Sequence, residues 1–328
     1  MIISRTPLRA SFFGGGSDLG DYYRNSASGY GAALSTAIDM YIYITVNKKF
    51  DDQIRISYSK TEIVDCVDQI EHNIIREALK IAGVEKGIEI VYMGDIPLGS
   101  AGVGLASSSA LAVGVLNALF AYQGQAVSAE FLAQKACEIE IDRLKNPIGK
   151  QDQYATAYGG FHHYRFNADE SVFVNPLICR PQVKQALQEN LMFFYTNMTH
   201  ISSHILAEQR EHIPKKMENL DRMVGMSYDA ERLLQKNALN EFGALLDEAW
   251  KLKKQLASGI SDPRIDEIYA AARKAGALGG KILGAGGGGF MMLYVPENRR
   301  QSVREALSQY REQKVALDPE GSKIIYVR

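Results

Sequence analysis

An excess of charge of one sign, clustered cysteines and long apolar runs are all missing from this chain. Each absence removes a class of function. Across 328 residues, 37 Lys and Arg stand against 38 Asp and Glu, a formal net charge of −1. So even a balance offers no bulk attraction to a polyanion, and nucleic acid is not expected as a partner. No stretch approaches the roughly 18 consecutive apolar residues of a membrane-spanning helix. The start, MIISRTPLRASFFGGG, has no secretory apolar core, so no signal peptide and no membrane association are expected. The three cysteines, Cys66, Cys137 and Cys179, are odd in number and lack metal-binding spacing. They read as reduced, packed thiols of a cytoplasmic protein. The histidines show no ligand spacing, and the lone Trp250 reads as helix packing.

What is present is ordinary globular composition, 46% hydrophobic and 23% charged, and enough length for one large domain or two of common size. In the first half, MIISRTPLRASF, MYIYITVNKKF (40–50), QIRISYS (53–59) and GIEIVYMGDIP (87–97) read as strands, the second and third as neighbours. HNIIREALKIAG (72–83) and the apolar SALAVGVLNALFAYQG (109–124) have helical spacing. SAEFLAQKACEIEIDRLK (128–145) reads as one more helix, with Ser128 as its N-cap. GFHHYRF and SVFVNPL suggest a hairpin, and LMFFYTN a further strand. From about 201 to 257 the chain is helical, with Phe242, Leu245, Leu246 and Ala249 on one face. A helix (DPRIDEIYAAARKAGALGG), a strand–loop–strand (KILGAGGGGFMMLYV), a helix and a closing strand (IIYVR) follow. This order predicts an α+β protein of two lobes, residues 1–185 and 186–328.

Three glycine-rich segments and one carboxylate cluster carry the chemistry. In TPLRASFFGGGSDLGDYY a triple glycine follows a strand, so the backbone can approach a ligand closely, and Asp18 can accept hydrogen bonds from hydroxyls. In DIPLGSAGVGLASSSALAVG the loop between Pro97 and the helix has no acidic residue and delivers N–H groups and three serines to a helix start, as an anion site requires. LGAGGGGF matches G-x-G-x-x-G literally, but the run FMMLYV after it reads as a strand. A dinucleotide fingerprint must open a helix, so that reading is weak. KAGALGGKI is no P-loop either, because its spacing is short and no Ser or Thr follows Lys281. In EIEIDRLKNPIGKQDQYATAYGG, Asn146, Pro147 and Gly149 break a helix, and Asp152 opens the next one. Amid amide donors and Lys150, this carboxylate suits proton acceptance from a hydroxyl. Glu140 suits a divalent metal that takes its remaining oxygens from phosphate and water.

Together these segments resemble the GHMP kinase superfamily: a proline–arginine motif, a G-L-G-S-S-S-A-type loop and a late glycine-rich hairpin, in that order. The strings TPLRASFFGGGSDLGDYY, NPIGKQDQYATAYGG and SSHILAEQ look most like its sugar-phosphate branch, which includes heptose 7-phosphate kinases. The resemblance implies a two-lobed α+β fold, with an N-terminal ribosomal-protein-S5-like lobe and a C-terminal ferredoxin-like lobe. It also implies transfer of the γ-phosphoryl of ATP, with Mg²⁺, to the anomeric hydroxyl of a heptose 7-phosphate. In these terms Asp152 and Arg9 are catalytic. Gly102, Gly104, Leu105, Ala106, Ser107, Ser108 and Ser109 hold the ATP phosphates, and Ser109 and Glu140 hold the metal. Gly15, Gly16, Ser17, Asp18, Lys150, Gln151, Gly286 and Gly287 hold the sugar phosphate. The partners implied are these small molecules, with a homo-oligomer open. Against the family pattern, Ala101–Val103 lengthen the phosphate loop, Ala106 stands where glycine is usual, and His200 replaces an arginine. A kinase for an unphosphorylated sugar and a non-catalytic nucleotide- or sugar-binding regulator stay open as alternatives.

Overall fold

The computed structural model describes residues 1–96, 103–198 and 202–328. Its first half runs β1 (Ile2–Phe13), α1 (Gly20–Tyr23), β2 (Tyr30–Lys48), β3 (Ile54–Ser57), β4 (Thr61–Val64), α2 (Asn73–Ala82), β5 (Ile88–Gly94), α3 (Ser107–Tyr122), α4 (Ala129–Cys137), α5 (Gln151–Tyr158), β6 (Phe161–Asn167) and β7 (Val172–Pro176). The second half runs α6 (Pro181–Asn190), β8 (Leu191–Tyr195), α7 (Ser202–His212), α8 (Met217–Gln235), α9 (Leu239–Lys253), α10 (Pro263–Ala275), β9 (Gly279–Ile282), β10 (Phe290–Tyr294), α11 (Arg300–Ala306), β11 (Arg311–Gln313) and β12 (Lys323–Val327).

β2 organises the larger sheet. β1 pairs along one side of it; on the other side β6 pairs with Tyr30–Thr36 and β5 with Ile42–Lys48. Only the second half of β2 was legible as a strand. Its first half, YGAALSTAID, has weak β-propensity and is extended because strands pair with it on both sides. β3 is not its neighbour. β5 lies between them, parallel to β3, and the parallel pairing uses α2 as the crossover.

The second sheet is antiparallel, in the order β11-β8-β10-β9. β12 leaves that lobe and pairs with β1 in the first sheet. The expected division between 185 and 186 thus falls inside α6, and the chain's last strand crosses back. α3 is apolar on every side and buried from Ser109 to Phe120, packed on β1 and β2. α9 joins the lobes, packing on β9 of one sheet and β1 of the other. Its Phe242 ring lies 5.6 Å from Phe12 and 5.3 Å from Phe13. Burying a ring of this kind is worth about 1.5–3 kcal/mol.

Residues 128–145 are not one regular helix. Ser128 caps α4 as expected, accepting from Phe131 N at 3.1 Å. After Cys137 the backbone widens into a π-turn over Glu138–Arg143, closed by Leu144 N to Ile139 O at 2.9 Å. Such a turn inserts a residue and rotates the side chains that follow it. Here it carries Glu140, which is fully buried.

Candidate active site

Arg9 joins three segments that are far apart in the chain. The β1–β2 register shifts between Pro7, which has no N–H to give the ladder, and Leu8. Two residues later the Arg9 guanidinium donates to both carboxylate oxygens of Asp152, Nε at 2.9 Å and Nη2 at 2.8 Å. Nη1 donates to the carbonyl of Gly104 at 2.6 Å, and the backbone N–H donates to Leu105 O at 3.2 Å. The fork is buried, whereas Asp152 keeps 32% of its side chain exposed. A planar guanidinium that holds both oxygens fixes the carboxylate's orientation. The expected catalytic pair therefore meets, and it meets at the loop expected to hold phosphates.

The triple-glycine turn closes over the same place. Asp18 accepts from Gly16 N at 2.9 Å and from Gln151 N at 3.2 Å. Burial, and then the charge of Asp152, push its carboxyl above the usual range. Gln151 donates from Nε2 to Ser11 Oγ at 2.7 Å. Gly15, Gly16, Asp18, Gln151 and Asp152 line one cavity. Ser17 corrects the sequence reading. Its hydroxyl lies 2.8 and 2.9 Å from the carbonyls of Gly14 and Ala32 and accepts from Ala32 N, so it anchors the turn to β2. Lys150 also departs from expectation. It donates to Glu170 at the main-chain O (3.0 Å) and the carboxylate (2.5 Å), and lines an adjoining cavity that shares Asp18, Leu19, Ile148 and Gly149 with this one.

Glu140 accepts from Ser109 Oγ and Gln153 Nε2, each at 2.7 Å and both on Oε2. Burial raises its pKa, against these donors. Its Oε1 and the hydroxyl of Ser107 are buried without a partner among the described residues. Two orphaned oxygens beside a helix start fit a hard cation, which prefers oxygen ligands. Among the described residues no group of three or more His, Cys, Asp and Glu forms a protein-only metal cage. Of the phosphate loop, Gly102 lies outside the described residues, as does His200. Ala106 is left-handed at φ 65°, ψ 35°, immediately before α3, and Ser108 is exposed.

The late glycine turn contributes different residues from those expected. Gly284 and Ala285 line the cavity. Gly286 packs on Ile260, and Gly287 N donates to Ile260 O at 2.9 Å, so this pair secures the turn from behind. β9 and β10 flank the turn as antiparallel strands, which removes the dinucleotide reading.

One cavity residue and its hydrogen-bond partner lie outside the sequence expectations. Lys253, at the end of α9, donates to Gly15 O at 3.2 Å and to Gln209 Oε1 at 2.9 Å. Burial pulls its pKa down to about 8. The signal was available: Phe242, Leu246, Ala249 and Lys253 share one helix face, and a lysine at a core position calls for an explanation. Gln209 was not findable that way, since α7 has no clear apolar stripe.

An Arg-held Asp beside an anion-type loop, with a buried Glu that keeps one oxygen unpartnered among the described residues, is a set suited to phosphoryl transfer. The GHMP kinases N terminal domain family matches residues 63–160, and the GHMP kinases C terminal family matches residues 230–313. The chain belongs to the GHMP kinase family and is a kinase with ATP as its phosphate donor. It is 30% identical to the D-glycero-alpha-D-manno-heptose 7-phosphate kinase of Campylobacter jejuni, over 93% of each chain. It is 27% identical to the L-fucokinase/L-fucose-1-P guanylyltransferase of Bacteroides fragilis, over 93% of this chain and 35% of that one. Among solved structures, a D-glycero-D-manno-heptose 1-phosphate kinase from Bacteriodes thetaiotaomicron superposes with a TM-score of 0.82 at 25% identity, over the whole of both chains.

Proposed function

We propose that this kinase phosphorylates the anomeric hydroxyl of D-glycero-D-manno-heptose 7-phosphate, giving the 1,7-bisphosphate for nucleotide-activated heptose and surface polysaccharide. The observation that carries the site reading is the Arg9–Asp152 clamp, set between the phosphate loop and the Gly15–Asp18 turn. The heptose reading is supported by the full-length heptose 7-phosphate relative.

Phosphoryl transfer needs positioning and charge stabilisation more than covalent help from the protein. In this reading the acceptor oxygen sits against Asp152. As the new O–P bond forms, the bond from the γ-phosphorus to the bridging oxygen breaks, and that oxygen leaves on ADP. The hydroxyl proton passes to the Asp152 carboxylate late in the step. An anomeric hydroxyl is more acidic than an ordinary alcohol, which lowers the demand on the proton acceptor. Asp18 accepts hydrogen bonds from sugar hydroxyls. Glu140, Ser107 and Ser109 would hold Mg²⁺, which supplies charge neutralisation at the phosphates. The ATP-binding half is assigned to residues 1–185 and the closing half to 186–328, with β12 returning to the first, in a cytoplasmic enzyme.

The test is ATP turnover across a panel of heptose 7-phosphate, heptose 1-phosphate, fucose, galactose and uronic acids. Turnover of heptose 7-phosphate at least tenfold above the others, with the product phosphorylated at C1, is expected. Preference for fucose or a uronic acid would replace the substrate reading with that of an unphosphorylated-sugar kinase, which the fucokinase relative keeps in view.

A further inference from the structure

Three cations line the cavity that holds Asp152: Arg9, Lys253 and Lys281. Two are engaged, Arg9 by Asp152 and Gly104, and Lys253 by Gly15 and Gln209. Lys281 is 4% exposed, and among the described residues its ammonium has no hydrogen-bond or ion-pair partner. It stands on β9, three residues before Gly284, whose backbone touches the phosphate loop at Gly104. We propose that Lys281 binds the γ-phosphoryl group of the nucleotide and stays with it through transfer to the acceptor. This makes it a catalytic residue of the kinase reaction. The inference rests on the phosphotransferase reading of the site and not on which sugar is used.

Lys281 lines the cavity, and its ammonium, which no acceptor among the described residues engages, is open to an anionic ligand that supplies one. Once Lys281 is protonated, Arg9, Lys253 and Lys281 against Asp18 and Asp152 leave the cavity one net positive charge, matched to an incoming phosphoryl group. The acceptor's own phosphate is the competing partner, and the acceptor KM separates the two. Burial, with the charges of Lys253 and Arg9, pulls the Lys281 pKa to about 7, while Asp152 and Asp18 oppose the shift. The side chain therefore holds its proton loosely in the empty enzyme and takes one up when the anion arrives.

Two readouts test this, one independent of any sugar. Calorimetric binding of Mg·AMP-PNP at pH 8, in buffers of different ionisation enthalpy, should show proton uptake that Lys281→Met lacks. The difference should approach roughly one proton per site, and Mg·ADP should show none. In turnover of whichever acceptor is active, Lys281→Met should lower kcat by about 10²–10³-fold, leaving the acceptor KM within about threefold. Lys281→Arg should recover part of the loss, with melting curves confirming that both variants fold. In the wild type, kcat/KM for MgATP should fall above pH about 7, a limb absent from Lys281→Met. Equal proton uptake by wild type and variant overturns the proposal. So does a rise in acceptor KM at unchanged kcat, which makes Lys281 a seat for the acceptor. An activity that rises through pH 7 and loses that rise in the variant makes Lys281 a proton acceptor instead. Absence of turnover with every heptose phosphate fails the substrate reading alone and leaves the AMP-PNP comparison decisive.

Discussion

A Cβ built on Gly284 would lie 2.6 Å from the Cα of Gly104, so the turn between β9 and β10 and the loop before α3 touch backbone to backbone. Both residues have positive φ, 74° and 80°, and Phe290 N adds a bond to Val103 O at 3.2 Å. Gly284→Ala should therefore do two kinds of damage, through its left-handed backbone and through overlap with the phosphate loop. Gly124→Ala, at φ 78° with nothing within 4 Å, carries the backbone part alone. The expected result is a larger drop in Tm for Gly284→Ala and a KM for ATP raised about tenfold or more. Identical melting curves and ATP constants for the two variants would show that the loop contact does not matter.

The Arg9–Asp152 clamp gives a second expectation. Asp152→Asn keeps an acceptor for Arg9 but removes the proton acceptor, so kcat should fall by about 10²–10⁴-fold. ATP affinity by calorimetry should stay within about threefold. A variant that keeps a tenth or more of the wild-type kcat would remove Asp152 from the chemistry.

Ala106 is a non-glycine residue held left-handed where glycine has no steric penalty. Ala106→Gly should raise stability by about 0.5–1 kcal/mol, read as a higher urea midpoint at unchanged slope. A lower midpoint would mean that the lost methyl packing outweighs the relieved backbone.

The buried lysines set a pH dependence for the ligand-free protein. Burial lowers the pKa of Lys253 to about 8 and of Lys281 to about 7, whereas an unfolded lysine titrates near about 10.4. Between these values the unfolded chain binds more protons than the folded one, so this contribution to stability rises with pH. Below pH about 7 the folded protein bears the full penalty of burying the charge. Lys281→Met should accordingly be more stable than the wild type at pH 6, and the gap should narrow towards pH 9. Taking the difference removes the opposing contributions of the buried tyrosines and Cys137, whose pKa values burial raises. A gap independent of pH would mean that Lys281 does not lose its proton in this range.

Local chemistry determined much of this molecule. Strand and helix positions, the Ser128 cap, the anion loop and the candidacy of Asp18, Glu140 and Asp152 follow from residue type and short-range spacing, whereas Arg9 entered through the family resemblance. Those signals depend on neighbours within a few positions, so one chain suffices to read them. Tertiary structure decided what depends on partners distant in sequence. It made a strand of Tyr30–Asp39, placed β5 between β2 and β3, and returned β12 to the first sheet. It turned Ser17 towards Ala32, paired Lys150 with Glu170, and exchanged Gly286 and Gly287 for Gly284 and Ala285 at the cavity wall. It also brought Lys253 and Lys281 beside Asp152. The physical reason is one of solvation. A hydroxyl or ammonium has the same hydrogen-bonding capacity anywhere in a chain, and only packing decides which acceptor replaces water around it.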